Sequence, residues 1–353
     1  MSRGFGIIGC GMIANFHAKA IADIEGARLV ACYNRTADKA IQLSEKFGGK
    51  PYTDLEQMLT DPAVDVVTIC TPSGAHLEPC LAAAAAGKHV IVEKPLEVTL
   101  ERCDRMIQAC RQAGVKLATI FPSRFHRSSQ LMKQAVDAGR FGTLALGDAY
   151  VKWYRTQAYY DSGAWRGTWA LDGGGALMNQ AIHSVDLLLW LMGPVAEVSA
   201  HAATLAHERI EVEDVVTASL RFASGALGVI EATTAGFPGS LKRIELTGSQ
   251  GTAILEEEDI IKWEFAQTNE DDQRLREEMK GRTKTGGGAA DPAAIGHHAH
   301  TALFRDFLLA IQQNQVSAID GHQGRRSVEL ILAIYESART GQKVRLPATI
   351  SNG

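Results

Sequence analysis

The chain contains 353 residues, of which 46% are hydrophobic and 22% are charged, so it can bury a large core, and its length favours two domains over one. Its formal net charge is −4 and its lysine and arginine residues are scattered, which excludes an extended basic surface for nucleic acid or an anionic membrane. Glycines interrupt the apolar start of the sequence, so neither a signal peptide nor a membrane span is predicted, and we expect a cytoplasmic protein.

Residues 5–120 alternate short β-rich runs with segments of helical periodicity. The β-rich runs are FGIIGC, RLVACY, DVVTIC, HVIV and KLATI, and the helical segments begin near Met12, Thr36, Leu55, His76 and Thr99. This alternation is typical of a parallel sheet with helices on both faces. We therefore predict an α/β domain with a doubly wound parallel sheet over residues 1–121.

A glycine motif connects the first strand to the first helix. It reads GCGMIA over residues 9–14, the G-x-G-x-x-A pattern of dinucleotide-binding Rossmann domains. Gly9 permits the tight turn, and Gly11 allows a pyrophosphate to approach the backbone. The first amides of the helix, those of Met12 and Ile13, are expected to face the phosphates. The alternative is a structural glycine turn in an unrelated α/β domain.

The second strand ends in YNRT, where a site that prefers NAD usually carries an acidic residue for the ribose 2′-hydroxyl. Asn34 can hydrogen-bond a hydroxyl, whereas Arg35 and Thr36 can receive a 2′-phosphate. The predicted cofactor is therefore NAD or NADP, with a slight lean to NADP. Alternatively, Arg35 points to solvent.

The pattern changes after residue 121, and we predict a second, α+β domain over residues 122–353. A helix near 127–138 precedes a strand-like run, TLALGDAYVKWYR, and the helix GALMNQAIHSVDLLLWLMG follows. Short strands joined by glycine turns are predicted at about 195–205, 212–222, 226–235, 241–247 and 251–256. They indicate a mainly antiparallel, open sheet.

Three further features belong to this second half. The charged and then glycine-rich segment 269–296 is predicted to be a mobile loop, and helices near 300–313 and 322–340 follow it. The HHAH cluster at 297–300 is predicted to cap or pack a helix, so no metal is expected. The strands VVTASLRF and ALGVIEAT are apolar enough for the sheet to pack on another copy, which predicts a homodimer or homotetramer.

Several segments taken together resemble the glucose-fructose oxidoreductase / inositol dehydrogenase / MocA (Gfo/Idh/MocA) family over nearly the whole chain. They are the glycine motif, CTPSGAH, AGKHVIVEKPL, GGGALMNQAIHSVDLL and DGHQGRRSVELILAIYESARTG. The resemblance implies an N-terminal Rossmann domain, a C-terminal domain for substrate binding and oligomerisation, and oxidoreductase activity. It also implies cofactor contacts in the CTPSGAH and EKP segments, from Thr71, Pro72, His76, Glu93 and Lys94.

The segment HVIVEKPLEV delivers Lys94 at the end of a buried strand. Ligands in open α/β sheets bind outside the carboxyl ends of the strands, so a lysine there can be functional. The family resemblance implies that Lys94 lies next to the nicotinamide ring, within reach of a substrate hydroxyl, and raises the chance that Pro95 follows it through a cis bond. The alternative is an exposed strand-end charge.

Asn179, His183 and Asp186 are spaced four and three residues apart, so an α-helix directs all three to one face. The family commonly has an aspartate where Asn179 stands, paired with a histidine that matches His183. The substitution leaves Asn179 as a hydrogen-bonding positioner. The alternatives are a core histidine satisfied by Asp186 and an asparagine that is plain helix scaffold.

Proton transfer is assigned to the histidine. An unperturbed lysine titrates at about pH 10.4 and a histidine at about 6.5, so the pKa of Lys94 must fall by roughly three for it to act as a base at neutral pH. We therefore predict His183 as general base and Lys94 as the donor that orients the hydroxyl and stabilises developing alkoxide charge. A desolvated lysine reverses these roles.

The run VKWYRTQAYYDSGAWRGTWALDGGG, residues 151–175, interleaves aromatic and charged side chains. Aromatic faces suit a sugar ring, and arginines admit a carboxylate or phosphate on that sugar. The predicted substrate-binding residues are Arg124, Trp153, Tyr159, Trp165, Arg166, Asn179 and His183. The alternative is aromatic packing in a domain or subunit interface.

The leading interpretation is an NAD(P)-dependent dehydrogenase or reductase that acts on a secondary hydroxyl of a cyclic sugar, polyol or sugar derivative. A glycoside-cleaving enzyme that oxidises its substrate transiently and then eliminates the aglycone is the alternative, and net cofactor reduction separates the two. A silent member that senses the cofactor or a sugar is the third class, against which the retained Lys94 and His183 argue.

Overall fold

The computed structural model describes residues 3–278 and 296–347. Within these ranges the chain forms two compact units. The first unit contains residues 3–122, 170–173 and 296–328, and the second contains residues 123–169, 174–278 and 329–347. The first unit thus includes residues from the C-terminal half of the chain, and the division into two consecutive domains at residue 121 stays a prediction.

The first unit is built on a six-stranded parallel sheet, as predicted. Its strands are β1 Arg3–Ile8, β2 Ala27–Tyr33, β3 Lys50–Tyr52, β4 Val66–Ile69, β5 His89–Val92 and β6 Leu117–Thr119. Their order is β3-β2-β1-β4-β5-β6, so the winding direction reverses between β1 and β4, where ligands bind in sheets of this kind. The sequence reading misses β3 because it is short and carries Pro51 at the sheet edge.

The helices of this unit begin where the sequence predicts them. They are α1 Met12–Ala22, α2 Ala37–Phe47, α3 Leu55–Leu59, α4 Leu77–Ala85 and α5 Leu100–Gln112. Thr99 caps the last of these, because its hydroxyl accepts a hydrogen bond from the Arg102 amide at 3.3 Å. Ala14 and Ala18 of α1 are buried, and their small side chains let the helix pack closely.

The second unit is built on an eight-stranded, mainly antiparallel sheet, which confirms the predicted class. Its strands are β7 Leu144–Lys152, β8 Val195–Ala203, β9 Val215–Phe222, β10 Leu227–Thr233, β11 Arg243–Gly248, β12 Gly251–Glu256, β13 Asp259–Phe265 and β14 Val344–Arg345. Their order is β13-β12-β11-β7-β10-β9-β8-β14, and β7 and β10 form its parallel pair. β13 lies beyond the last predicted strand.

Helices α6 Arg127–Asp137, α7 Gln157–Asp161 and α8 Ile182–Met192 belong to the second unit. The segment predicted as one helix through Asn179 and His183 begins instead as a π-helix, Ala176–Ala181, which continues into α8. Insertions of this type in α-helices are frequent at functional sites. The α-helical spacing used to align Asn179 with His183 therefore does not hold in this segment.

The prediction of a loop over 269–296 is wrong at its start, where α9 spans Glu270–Glu278. Asp272 is buried there and accepts hydrogen bonds from Arg140 at 2.7 and 2.8 Å and from the Trp263 indole at 2.8 Å, which anchors the helix. Residues 279–295 lie outside the described residues.

Two helices follow in the C-terminal part, α10 His298–Gln313 and α11 Gly321–Thr340, close to their predicted positions. Within 3–278 and 296–347, no helix has both the length and the apolar character that crossing a bilayer requires.

Candidate functional site

The residues predicted to hold the cofactor lie in the first unit, where they follow the carboxyl ends of β1, β2, β4 and β5. Gly9 follows β1 with a φ of +94°, a conformation that favours glycine. A Cβ atom on it would lie 2.9 Å from the Cys70 carbonyl carbon, and its amide donates to the Tyr33 carbonyl at 2.8 Å. The tight turn predicted from the motif is therefore present, and only glycine fits it.

Gly11 forms the N-cap of α1, and a Cβ atom placed on it would meet no atom within 4 Å. No side chain caps this helix end, and Met12 is 51% exposed. The amides at the start of α1 therefore lie in an open cradle of the kind that binds a pyrophosphate. These residues fit a dinucleotide.

Asn34 joins the end of β2 to the glycine turn. Its side-chain oxygen accepts from the Cys10 amide at 3.2 Å, and its side-chain nitrogen donates to the Thr36 carbonyl at 3.1 Å. Arg35 and Thr36 are exposed. Asn34 thus shapes the turn, while Arg35 is accessible from solvent.

The CTPSGAH segment follows β4 and is held by His76. Thr71 and Pro72 are half-buried, and the Thr71 hydroxyl donates to the Ala75 carbonyl at 2.9 Å. His76 is 1% exposed, and its ring nitrogens lie 3.0 Å from the Thr71 carbonyl and 2.9 Å from the Pro95 carbonyl. His76 thereby fixes this segment to the one that follows β5, and its contact with the cofactor stays a prediction.

Glu93 is likewise buried, and it supports the backbone of its neighbour. Its carboxylate lies 2.8 Å from His17 Nε2 and accepts from the Lys94 amide at 3.0 Å. Burial raises the pKa of Glu93, but the hydrogen bond and charge of His17 outweigh it, and the pKa falls to about 2. An ionised Glu93 therefore holds the backbone at Lys94, and the contact of its side chain with the cofactor stays a prediction.

His17 and His300 complete this buried group, which the sequence reading misses. His17 Nδ1 lies 2.7 Å from the Thr68 hydroxyl, and possible ligand atoms of His17, Glu93 and His300 all lie within 4.8 Å of one another. Burial, and then His17, lower the pKa of His300 to about 4. His300 packs in the core as expected, and His297 at the N-cap of α10 contacts Asp23 at 2.9 Å.

Lys94 is half-buried directly after the buried Glu93, at the carboxyl end of β5. The Lys94–Pro95 peptide bond is cis, as the family resemblance suggested. The lysine side chain thus starts at the sheet edge that also carries the glycine turn, because all strands of this sheet run parallel.

The predicted substrate residues lie in the second unit. Asn179 on the π-helix and His183 in the first turn of α8 are both half-buried. Asp186 is fully buried, and its carboxylate accepts from Arg124 at 2.6 and 2.8 Å. Arg124 is 5% exposed and forms a buried ion pair with this carboxylate, and its contact with the substrate stays a prediction.

A hydrogen-bond network surrounds Asn179. The side-chain nitrogen of Gln180 donates to the Asn179 side-chain oxygen and to the Tyr159 hydroxyl, both at 2.9 Å. The side-chain oxygen of Gln180 accepts from Arg155 at 2.9 and 3.2 Å. Gln180 thus holds the Asn179 side chain, a contact that the sequence does not predict, because adjacent residues of a regular helix point in different directions.

Arg166 extends this network through aromatic contacts. Its guanidinium donates to the Tyr159 hydroxyl at 2.6 Å and lies 4.2 Å from the Tyr159 ring centroid and 4.5 Å from that of Trp165. These three side chains are half-buried, as a ligand-facing group requires. Trp153 is 5% exposed and its ring lies 5.0 Å from the Arg155 guanidinium, and its contact with a sugar stays a prediction.

His183 also lines a cavity of about 10 Å³ with Ser123, Ser184 and the Lys242–Glu257 ion pair, whose charged atoms are 3.3 Å apart. A cavity of this size is at the lower limit of what can hold one water molecule. The histidine therefore borders a polar compartment inside the second unit.

The chain matches two family models. Residues 3–121 match the model described as an oxidoreductase family with an NAD-binding Rossmann fold, and residues 129–254 match the Gfo/Idh/MocA C-terminal domain. Among curated proteins, it is 36% identical over 251 residues to the myo-inositol 2-dehydrogenase of Thermotoga maritima, which covers 70% of this chain and 73% of that protein.

Two solved structures are similar over nearly the full length. The WlbA dehydrogenase from Bordetella pertussis, in complex with NADH and UDP-GlcNAcA, is 36% identical with a TM-score of 0.87, covering 99% of this chain and 100% of that chain. The WlbA dehydrogenase from Chromobacterium violaceum, with the same two ligands, is 34% identical with a TM-score of 0.87, covering 99% and 97%.

Proposed function

Because the chain belongs to the Gfo/Idh/MocA family of NAD-binding sugar and polyol oxidoreductases, we propose that it oxidises a secondary hydroxyl of a nucleotide-linked acidic sugar. The observation that carries this proposal is the similarity, along nearly the whole chain, to two WlbA dehydrogenases that bind UDP-GlcNAcA. The matching myo-inositol dehydrogenase covers a smaller part of the chain and supports the reaction class.

The second unit supplies side chains that suit such a substrate. Tyr159 and Trp165 offer aromatic faces for a sugar ring, and Asn179, which Gln180 holds in place, offers an amide group for its hydroxyls. Arg166, held between the two rings, offers a charged fork for a carboxylate. Neutral polyols carry no anionic group that could pair with the Arg166 guanidinium.

NAD is the proposed cofactor. When bound, NAD would supply the hydride acceptor for oxidation of the carbinol carbon. Gly9, Gly11 and the first amides of α1 are the residues that would hold its pyrophosphate. The slight lean to NADP drawn from Arg35 finds no support in the two WlbA structures, both of which contain NADH.

The proposed proton acceptor is His183, and the proposed hydroxyl-orienting donor is Lys94. In the oxidation, the hydroxyl proton passes to the imidazole while the carbinol C–H bond breaks and a carbonyl forms. The ammonium of Lys94 stabilises the developing alkoxide. The relatives named above are dehydrogenases, which favours simple oxidation over glycoside cleavage.

We also propose that copies associate through the uncovered face of the eight-stranded sheet. Leu146 of β7 and Leu227 of β10 are neighbours in register there, and they are 43% and 45% exposed. Exposed leucines on adjacent strands are typical of a subunit contact.

A substrate panel tests the proposed function. UDP-GlcNAcA, UDP-GlcNAc, free glucuronate, myo-inositol and levoglucosan are each incubated with NAD⁺ and with NADP⁺, and reduced nicotinamide is followed by its absorbance. We expect the highest kcat/KM with UDP-GlcNAcA and NAD⁺. A higher value with myo-inositol, or release of sugar without net cofactor reduction, contradicts the proposal.

Arg166→Gln tests the acidic group of the substrate. A hydrogen bond to a charged group contributes about 1.5–3 kcal/mol, so we expect KM for UDP-GlcNAcA to rise about 10- to 100-fold while that for UDP-GlcNAc changes little. Arg274→Gln, which removes an exposed arginine paired with Asp271 on α9, is the matched control. Equal effects of Arg166→Gln on the two sugars would show that Arg166 does not recognise the carboxylate.

A further inference from the structure

We infer that Glu213 is a positioning residue for the reaction, because its carboxylate holds the start of the π-helix that carries Asn179 and leads into His183. The inference rests on the proposed roles of these two residues. Glu213 is 4% exposed, so it is a support beneath the helix rather than a ligand-binding group.

The first amides of a π-helix have no helical hydrogen-bond partners. Glu213 supplies acceptors for most of these amides at the start of the segment Ala176–Ala181. The Glu213 carboxylate accepts from the Gly175 amide at 2.9 Å and from the Leu177 amide at 2.8 Å. Its main-chain carbonyl accepts from the Ala176 amide at 3.1 Å. One residue thus satisfies three successive amides, and buried amides without partners are costly.

Tyr335 of α11 completes the support. Its hydroxyl donates to the Glu213 carboxylate at 2.9 Å and accepts from the Met178 amide at 3.2 Å. The glycines of the GGG segment allow this close packing. A Cβ atom would lie 2.2 Å from the Tyr335 hydroxyl if added to Gly174, and 1.8 Å from the Glu213 carbonyl oxygen if added to Gly175.

The ionised carboxylate is the form that matches this arrangement, because all three groups aimed at it donate. Burial raises the pKa of Glu213 to about 7, despite the opposing hydrogen bonds from Leu177, Gly175 and Tyr335. The adjacent Asp214 is held separately by His207 and by amides of residues 205–207. Protonation near neutral pH therefore removes at least one contact that fixes the helix.

Catalysis and stability then depend on pH in opposite directions. The folded pKa of Glu213 lies above its ordinary value, so the stability linked to this group is present at low pH and is lost as pH rises through about 7. The π-helix is aligned correctly when Glu213 is ionised. The aligned fraction of the protein is therefore largest at high pH. A residue with only a structural role would change activity and stability together.

The test compares Glu213→Gln with wild type in the full-length enzyme, between pH 6 and pH 8.5. The side-chain amide introduced by this substitution keeps the shape of the carboxylate. Its N–H group, however, points at one of the groups that donate to Glu213 in the wild type. We expect kcat to fall about 100-fold at pH 8, as for a displaced catalytic group, and by less at pH 6, with KM for NAD⁺ unchanged. The accompanying loss of Tm should be smaller at pH 8 than at pH 6. A kcat ratio that is constant across this range would overturn the inference.

Hydrogen exchange provides a readout that needs no substrate, so it also holds if the proposed function fails. At least one of the Gly175 and Leu177 amides should exchange at least about tenfold faster in Glu213→Gln, because the substituted side chain keeps only one accepting oxygen. The amide of Met178 should do so in Tyr335→Phe, because that variant removes its acceptor. Asp272→Asn breaks a buried carboxylate network on α9 and is the control that should leave these three amides protected. Unchanged exchange in both site variants would contradict the inference.

Discussion

Lys94→Ala is expected to reduce kcat by about 100- to 1,000-fold across the whole pH range while leaving the Kd of NAD⁺ close to its wild-type value. The reason is that the ammonium is proposed to stabilise alkoxide charge that develops only in the transition state, a contribution of this size for a single donor. The backbone at Lys94 is held by Glu93 and by the His76 contact to Pro95, so truncation of the side chain should leave the loop in place.

The measurement is steady-state kinetics with the best substrate of the panel, combined with calorimetric titration of NAD⁺. Lys19→Ala removes an exposed lysine from α1 of the same unit and is the matched control for the loss of one positive charge. If Lys94→Ala retains kcat within a few-fold of wild type, Lys94 is a strand-end surface charge, and the proposed role is wrong.

His183→Ala is expected to reduce kcat by about 100- to 10,000-fold at pH 8, the range that a positioned general base contributes. The imidazole is proposed to take the hydroxyl proton, and it must be neutral to do so. In the wild type, oxidation should therefore slow as pH falls through the range in which a histidine titrates, and this part of the pH profile should be absent from the variant.

Added imidazole provides the sharper test, because it can replace the missing base without replacing the side chain. We expect the rate of His183→Ala to increase with imidazole concentration, whereas His201→Ala, which removes an exposed histidine from β8 of the same unit, should keep the wild-type rate and show no such dependence. Absence of rescue, together with an unchanged pH profile, would assign proton transfer to another group.

Local sequence patterns determine most of the cofactor half. Alternation of β-rich and helical segments predicts the parallel sheet, because each pattern reflects which face of a short element is buried. The glycine motif predicts the turn at Gly9, since that backbone conformation and the proximity of Cys70 leave no room for a side chain. The strand-end position of Lys94 likewise depends only on where a buried strand stops.

In the substrate half, the spacing of polar residues along the chain is a weaker guide to which side chains meet. A prediction from spacing assumes that the segment is a regular α-helix. The segment Ala176–Ala181 is a π-helix, so the α-helical spacing from which the convergence of Asn179, His183 and Asp186 is predicted does not apply to it. Asp186 also pairs with Arg124, 62 residues earlier in the chain, a contact that the spacing does not predict. The sequence alone does not reveal whether an arginine and an aspartate each face a ligand or pair with one another.

What only the tertiary structure decides is which polar residues support the site and which can contact a ligand. His76, Glu93 and Trp153 are of the right type and in the right segments, yet each is buried. Glu213 lies 38 residues after Gly175 and reaches the π-helix from the loop before β9. Burial and such long-range hydrogen bonds arise when distant segments pack together, so no local pattern specifies them.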